Sequence, residues 1–414
     1  MQTTRLFSNI EFNGDKLLHQ PGSVLGSTAL IAGTTVGAGI LALPTVTLPS
    51  GVAPSTALLI AVWLYALVSG LLIAEVSLDG MLSYGASGSF LAMVESVLGK
   101  PGGILAGGAY LFLHYGLLVA YIAQGGEILL GVLPINLPNW AGTTIFGLLF
   151  GGVMYFGRPK LIEKFNNALV FVVIASFAGL LFLASKQVRL SQFVFQDWSQ
   201  LTAAIPVMLV ALFYHNVIPV IAIQLEGDAR KIKQSIFVGS LIPLLMFIAW
   251  NAVILGSVNS ELLQNFTGAE KFEPLENLRG GSGGNLLDII VSVFSEVAII
   301  TSFIGFFYGL LNFFNNVVKF STTRPLTYSL VLFPPMCLAI LSPNIFLNAL
   351  ESAGAFCISI LGAIIPALMV WKRRYEHGNF DSYRRLVPGG KIILVTVISI
   401  AILVILNKLL SFIK

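Results

Sequence analysis

Uninterrupted apolar blocks of roughly 18 to 27 residues dominate the chain. They are long enough to cross a bilayer as helices, and they lack the polar stripe of a helix packed on a soluble core. Eleven blocks read as spans: 23–48, 55–78, 104–126, 140–157, 165–186, 201–223, 236–257, 287–310, 326–342, 345–371 and 391–412. Only 10% of the 414 residues are charged, against about a quarter in a soluble chain. The pattern specifies an all-α polytopic membrane protein.

Charge placement orients it. With the N-terminal tail 1–22 in the cytoplasm, 17 of the 23 Lys and Arg residues fall on the cytoplasmic side and the C-terminus lies outside. The net charge of +4 gives no reason to expect a nucleic-acid partner. The N-terminus has neither a signal-peptide nor a transit-peptide pattern, so the first block is expected to stay as a span. The inner connection 79–101 suggests an interfacial helix. The outer connection 258–286 reads as a short lid or a solvated loop. Cys337 and Cys357 sit in apolar blocks with no zinc spacing, and no cofactor or structural metal is expected.

Two spans carry residues that a lipid-embedded helix should avoid. In the first, Gly33, Thr34, Thr35, Val36, Gly37, Ala38 and Gly39 interrupt "LIAGTTVGAGILALP". Each glycine lowers helical preference by about 1 kcal/mol relative to alanine. Gly33 and Gly37 also form a GxxxG pattern, which on its own would read as a helix-packing groove. In the sixth span, "FYHNVIP" places Phe213, Tyr214, His215, Asn216 and Pro219 at the centre. Pro219 has no N–H and crowds the carbonyl of His215. Spans 1 and 6 are corresponding members of two five-helix halves, the second inverted. Paired interruptions at matching places point to a binding site at the bilayer midplane. A broken helix offers N–H groups on one side for a carboxylate and carbonyls on the other for an ammonium group or small cation.

Four stretches, "GSTALIAGTTVGAGILALP", "LLIAEVSL", "FYHNVIP" and "AIITSFIGFFYGLLNF", resemble the tryptophan/tyrosine permease family of aromatic amino acid permeases. That family belongs to the amino acid–polyamine–organocation superfamily. The resemblance implies the leucine-transporter-like fold: a 5+5 inverted repeat (23–186 and 201–371), an eleventh helix at 391–412, and discontinuous helices 1 and 6. It also implies proton-driven import of tyrosine or tryptophan across a bacterial inner membrane. By position, Gly33 to Gly39 would hold the charged ends of the amino acid, and Phe213 to Asn216 would close the other side. The chain departs from the family at Asn312, where relatives often have aspartate, and at Asn216, which either narrows the pocket or adds a contact.

Further polar residues fall inside spans, where they are costly and point to function. Tyr115, Tyr121 and Gln124 are candidates to line the cavity, with Phe306 and Phe356 beside the substrate ring. Glu75, His114, His215, Thr301 and Ser302 are candidates for ion coupling. Thr301 and Ser302 are also where sodium-coupled relatives of the fold complete a cation site, so proton and sodium both stay open, as does a broader neutral amino acid substrate. The fifth span has no mid-membrane lysine to replace a cation. An intramembrane enzyme using His114, His215 and a glutamate is the remote alternative. No His-Glu-x-x-His, Ser/His/Asp or nucleotide-binding motif supports it. Oligomeric state is not legible.

Overall fold

The computed structural model describes residues 10–13, 16–19, 22–84, 90–132, 137–258, 284–317, 323–342, 345–376 and 385–413. The outer connection expected as a lid or loop lies almost wholly outside these residues. A short antiparallel hairpin, β1 (Ile10–Asn13) with β2 (Lys16–His19), precedes the helices.

The helices are α1 (Val24–Thr35), α2 (Gly39–Thr47), α3 (Val52–Tyr84), α4 (Phe90–Val132), α5 (Asn139–Phe156), α6 (Pro159–Ala184), α7 (Ile205–Ala211), α8 (Ile218–Gln224) and α9 (Ala229–Ser257). They continue with α10 (Gly284–Asn312), α11 (Arg324–Leu341), α12 (Phe346–Ser352), α13 (Ile365–Tyr375) and α14 (Gly390–Ser411). Among the described residues, nine segments are long and apolar enough to span a membrane. The bent pair α1 and α2, turned by 54°, makes a tenth. Segment 140–157 is helical as α5, but Asn139, two threonines and four glycines dilute its apolar character. Large apolar side chains such as Phe156, Phe171, Phe182, Ile392 and Leu403 point outward, where lipid rather than water solvates them.

Local chemistry explains where the helices begin and turn. Ser23 caps α1 by accepting from Gly26 N–H (2.9 Å). Asp228 caps α9 by accepting from Arg230 N–H (3.0 Å) and Lys231 N–H (3.3 Å). Of the connection 79–101, α3 runs on to Tyr84, and Phe90–Leu98 opens α4. Gly99 then turns the chain at φ 77°, a conformation that favours glycine.

Two packed groups emerge. In one, α1, α2, α3, α7, α8 and α9 are knitted together. Gly239 lets α9 approach α1 closely: a Cβ there would lie 2.7 Å from Ile31 Cβ. Trp250 Nε1 donates to the Ile40 carbonyl (2.9 Å). Asn251 accepts from Thr47 Oγ1 (2.6 Å) and donates to Ser55 Oγ (2.9 Å). In the other group, α4, α5, α10 and α11 pack through small residues: Gly126 against Thr143, Gly147 against Met336 and Gly309 against His114. α6 joins this group along α10, with Ile290 set on Gly179 and Phe294 on Phe177.

Between α12 and α13 the tenth span is wound as a π-helix over Ala353–Ile358 and Ile360–Ile364. Pro366 follows, with no N–H to give to the preceding turn. The sequence reading took this span as regular helix.

Candidate functional site

The first span separates between Thr35 and Gly39. Val36 is extended (φ −78°, ψ 98°), and its N–H closes the last turn of α1 on the Ala32 carbonyl (2.9 Å). The Thr34 and Thr35 hydroxyls donate back to the Leu30 and Ile31 carbonyls (both 2.7 Å), so they serve their own helix rather than the freed backbone. Beyond them, the carbonyls of Gly33, Thr34 and Thr35 and the N–H groups of Gly37 and Gly39 have no hydrogen-bond partner among the described residues. These groups are the orphan ends of two half-helices. Gly33 is exposed, with open space where a Cβ would stand, so it is not part of a packing groove. Gly37 is crowded, since a Cβ there would lie 2.6 Å from Ser302 Oγ. Ala38 N–H donates to that same oxygen (2.9 Å).

The sixth span separates at Leu212–Tyr214, followed by a single 3₁₀ turn, His215–Val217, before α8. The two breaks meet directly. A Cβ on Gly39, the first residue of α2, would lie 3.1 Å from Cα of Ala211, the last residue of α7. Tyr214 is fully buried against α3, its Oη donating to the Ala66 carbonyl (3.3 Å). His215 is buried between the rings of Phe213 (5.1 Å) and Tyr214 (5.0 Å). Neither of its ring nitrogens makes a hydrogen bond of normal geometry. Phe213 is half-buried and faces Gly362 of the π-helical stretch, while Asn216 is exposed beside the break.

The other expected site residues divide into those near the break and those elsewhere. Tyr121 is buried, and its ring lies 5.7 Å from half-buried Phe306. His114 packs on the other side of Phe306 (5.0 Å), with Nδ1 at the Tyr110 carbonyl (2.8 Å) and Tyr110 stacked on its ring. Thr301 donates to the Ala298 carbonyl of its own helix (3.0 Å). Gln124 is half-buried about three turns along α4 from His114, and Phe356 sits half-buried in the π-helix. Tyr115 turns away, donating to the Leu330 carbonyl of α11 (2.7 Å).

Glu75 is elsewhere. Both its oxygens are held by Arg374, through Nε (2.6 Å) and Nη2 (2.7 Å), and both side chains are fully buried. Leu386 N–H adds a bond to Oε2 (2.7 Å), and Arg374 Nη2 also reaches the Val387 carbonyl (2.9 Å). This cluster joins the ends of α3 and α13 to the segment that leads into α14. It is a structural tie, not part of the break. By sequence Glu75 could pair with any of several loop cations as readily as carry a proton, and the structure selects Arg374.

A continuous stretch, residues 20–408, matches the sequence profile of the tryptophan/tyrosine permease family. The chain belongs to that family. The permease is 30% identical over 388 residues to the tyrosine-specific transport system 1 of Haemophilus influenzae, covering 92% of this chain and 95% of that protein. It is 29% identical over 402 residues to the tryptophan-specific transport protein of the same organism, covering 92% and 94%. Glutamine transporter 2 of Aliivibrio fischeri is 23% identical over 397 residues, covering 93% and 99%. The permease is therefore a multi-pass membrane transport protein and not an enzyme.

Proposed function

We propose that this permease is a secondary active transporter that imports aromatic amino acids, tyrosine and tryptophan foremost, by alternating access. Its spans form two inverted five-helix halves, 23–186 and 201–371, with 391–412 as an eleventh helix in a leucine-transporter-like arrangement. The N-terminus is cytoplasmic and the C-terminus outside, on the strength of the Lys and Arg distribution. The tyrosine-specific and tryptophan-specific transport proteins among its relatives support the substrate class.

One observation carries the reading. Two broken spans abut at Gly39 and Ala211, and carbonyls of Gly33, Thr34 and Thr35 and N–H groups of Gly37 and Gly39 that have no partner among the described residues line the same interruption. An amino acid carries an ammonium and a carboxylate a few ångströms apart. The carbonyl end of α1 suits the first, and the N–H end of α2 suits the second. Phe213, Phe306 and Tyr121 offer ring surfaces for the side chain. The two packed helix groups are the bodies that would rock, α1, α2, α3, α7, α8 and α9 against the rest. Coupling is to protons, with sodium the alternative.

The test is uptake by the purified protein in proteoliposomes. Labelled tyrosine, tryptophan, phenylalanine, leucine and glutamine are compared, with proton and sodium gradients imposed separately. Glutamine is included because a relative bears that function. Concentrative uptake of tyrosine or tryptophan that collapses with an ionophore is the expected result. Absence of accumulation of every amino acid under both gradients would sink the reading.

A further inference from the structure

The Ser302 hydroxyl ties two elements together. Its proton goes to the Ala298 carbonyl one turn back (2.9 Å). A lone pair accepts Ala38 N–H (2.9 Å). The break between α1 and α2 is thus held to α10 at one atom.

Gly37 makes the meeting possible. It is not in the left-handed region, so its conformation alone does not demand glycine. Space does: any Cβ would stand 2.6 Å from Ser302 Oγ and push Ala38 off its acceptor. Ala38 N–H lies between those of Gly37 and Gly39, which have no partner among the described residues. Fixing the middle amide sets the direction in which its neighbours point.

We infer that Ser302 is a positioning residue: it aims the free amides of Gly37 and Gly39 at the carboxylate of the transported amino acid and does not ligate a coupling cation. The inference rests on the amino acid transport reading. A sodium ion at Ser302 would have to share the oxygen that already accepts Ala38 N–H. Thr301, turned back onto its own helix, supplies no preformed partner for such an ion.

The experiment measures tyrosine and tryptophan uptake kinetics in proteoliposomes for the full chain and four variants: Ser302→Ala, Ser302→Thr, Gly37→Ala and the double Gly37→Ala/Ser302→Ala. Ser302→Ala is expected to raise KM about tenfold while the maximal rate stays within about twofold, the loss of one hydrogen bond to an aimed group. Ser302→Thr keeps the hydroxyl and restores KM to within about threefold. Gly37→Ala matches Ser302→Ala. The double variant is no worse than Ser302→Ala, because the Ser302 Cβ is 3.8 Å from the added methyl and leaves room for it. Unchanged KM in Ser302→Ala, or additive losses in the double variant, overturns the inference. So does sodium-stimulated uptake whose half-saturating sodium concentration rises in Ser302→Ala. Should Ser302→Ala not be recovered from the membrane, Gly37→Ala read against Ser302→Thr decides the same point. Wild-type protein that moves no amino acid overturns the transport reading instead, and so is told apart.

Discussion

Neutralising Glu75 should destabilise this permease more than its small size as a change suggests. The carboxylate accepts from Arg374 Nε and Nη2 and from Leu386 and Val387 N–H, with none of its surface exposed. Glu75→Gln removes the charge and leaves a guanidinium that keeps its own at any accessible pH. It also turns an amide NH₂ toward groups that are themselves donors. Breaking one side of a buried pair costs about 3–5 kcal/mol, because the surviving charge is uncompensated. At about 2–4 °C per kcal/mol, the loss lowers the unfolding midpoint by roughly 10 °C. The assay is thermal unfolding in detergent, followed by the fraction that stays monodisperse on size exclusion. Glu75→Leu/Arg374→Leu should be more stable than Glu75→Gln, since it removes both charges together. The swap Glu75→Arg/Arg374→Glu should not rescue, because the amides of Leu386 and Val387 would then face a cation. An unchanged midpoint in Glu75→Gln, or full rescue by the swap, would refute the reasoning.

The contact of the two breaks makes a second expectation. Gly39→Val sets two methyls against Ala211 and should abolish uptake with the protein still inserted, as should Gly37→Leu, whereas Gly33→Ala enters open space and should leave uptake near wild type. Surface expression measured beside uptake separates these outcomes, and a fully active Gly39→Val refutes the contact. A third concerns pH. Asp197, outside the spans, accepts from Ser199 Oγ (2.6 Å) and Ser199 N–H (2.9 Å), bonds that hold its carboxyl below the usual range. A depressed folded pKa adds stability that is present above the ordinary carboxylate range and lost as pH falls through the lower value. Protection factors across 198–204, corrected for the intrinsic pH dependence of exchange, should therefore fall on acidification in wild type and show no such step in Asp197→Asn.

The apolar blocks and the two interruptions were legible because each is a local property: length, glycine density and a proline. What lies opposite a given side chain was not. Tyr115 and Tyr121 looked equivalent, but the spans lack an amphipathic period, so nothing in the sequence sets their rotation. The structure sends Tyr115 to α11 and Tyr121 to the ring of Phe306. Glu75 had open readings, and its partner, 299 positions away, decided among them. The π-helical stretch had a signal that went unread: Gly354, whose missing side chain admits the Pro206 carbonyl, and Pro366 beyond it.

The separation between Ala38 and Ser302 has a consequence for how the protein is made. The hydrogen bond joins residues 264 positions apart. At about 5–20 residues per second, synthesis of that interval takes roughly 13 to 53 s. Throughout that time the first span occupies the membrane with its bend unsecured, and its final shape depends on a serine that the ribosome has yet to add.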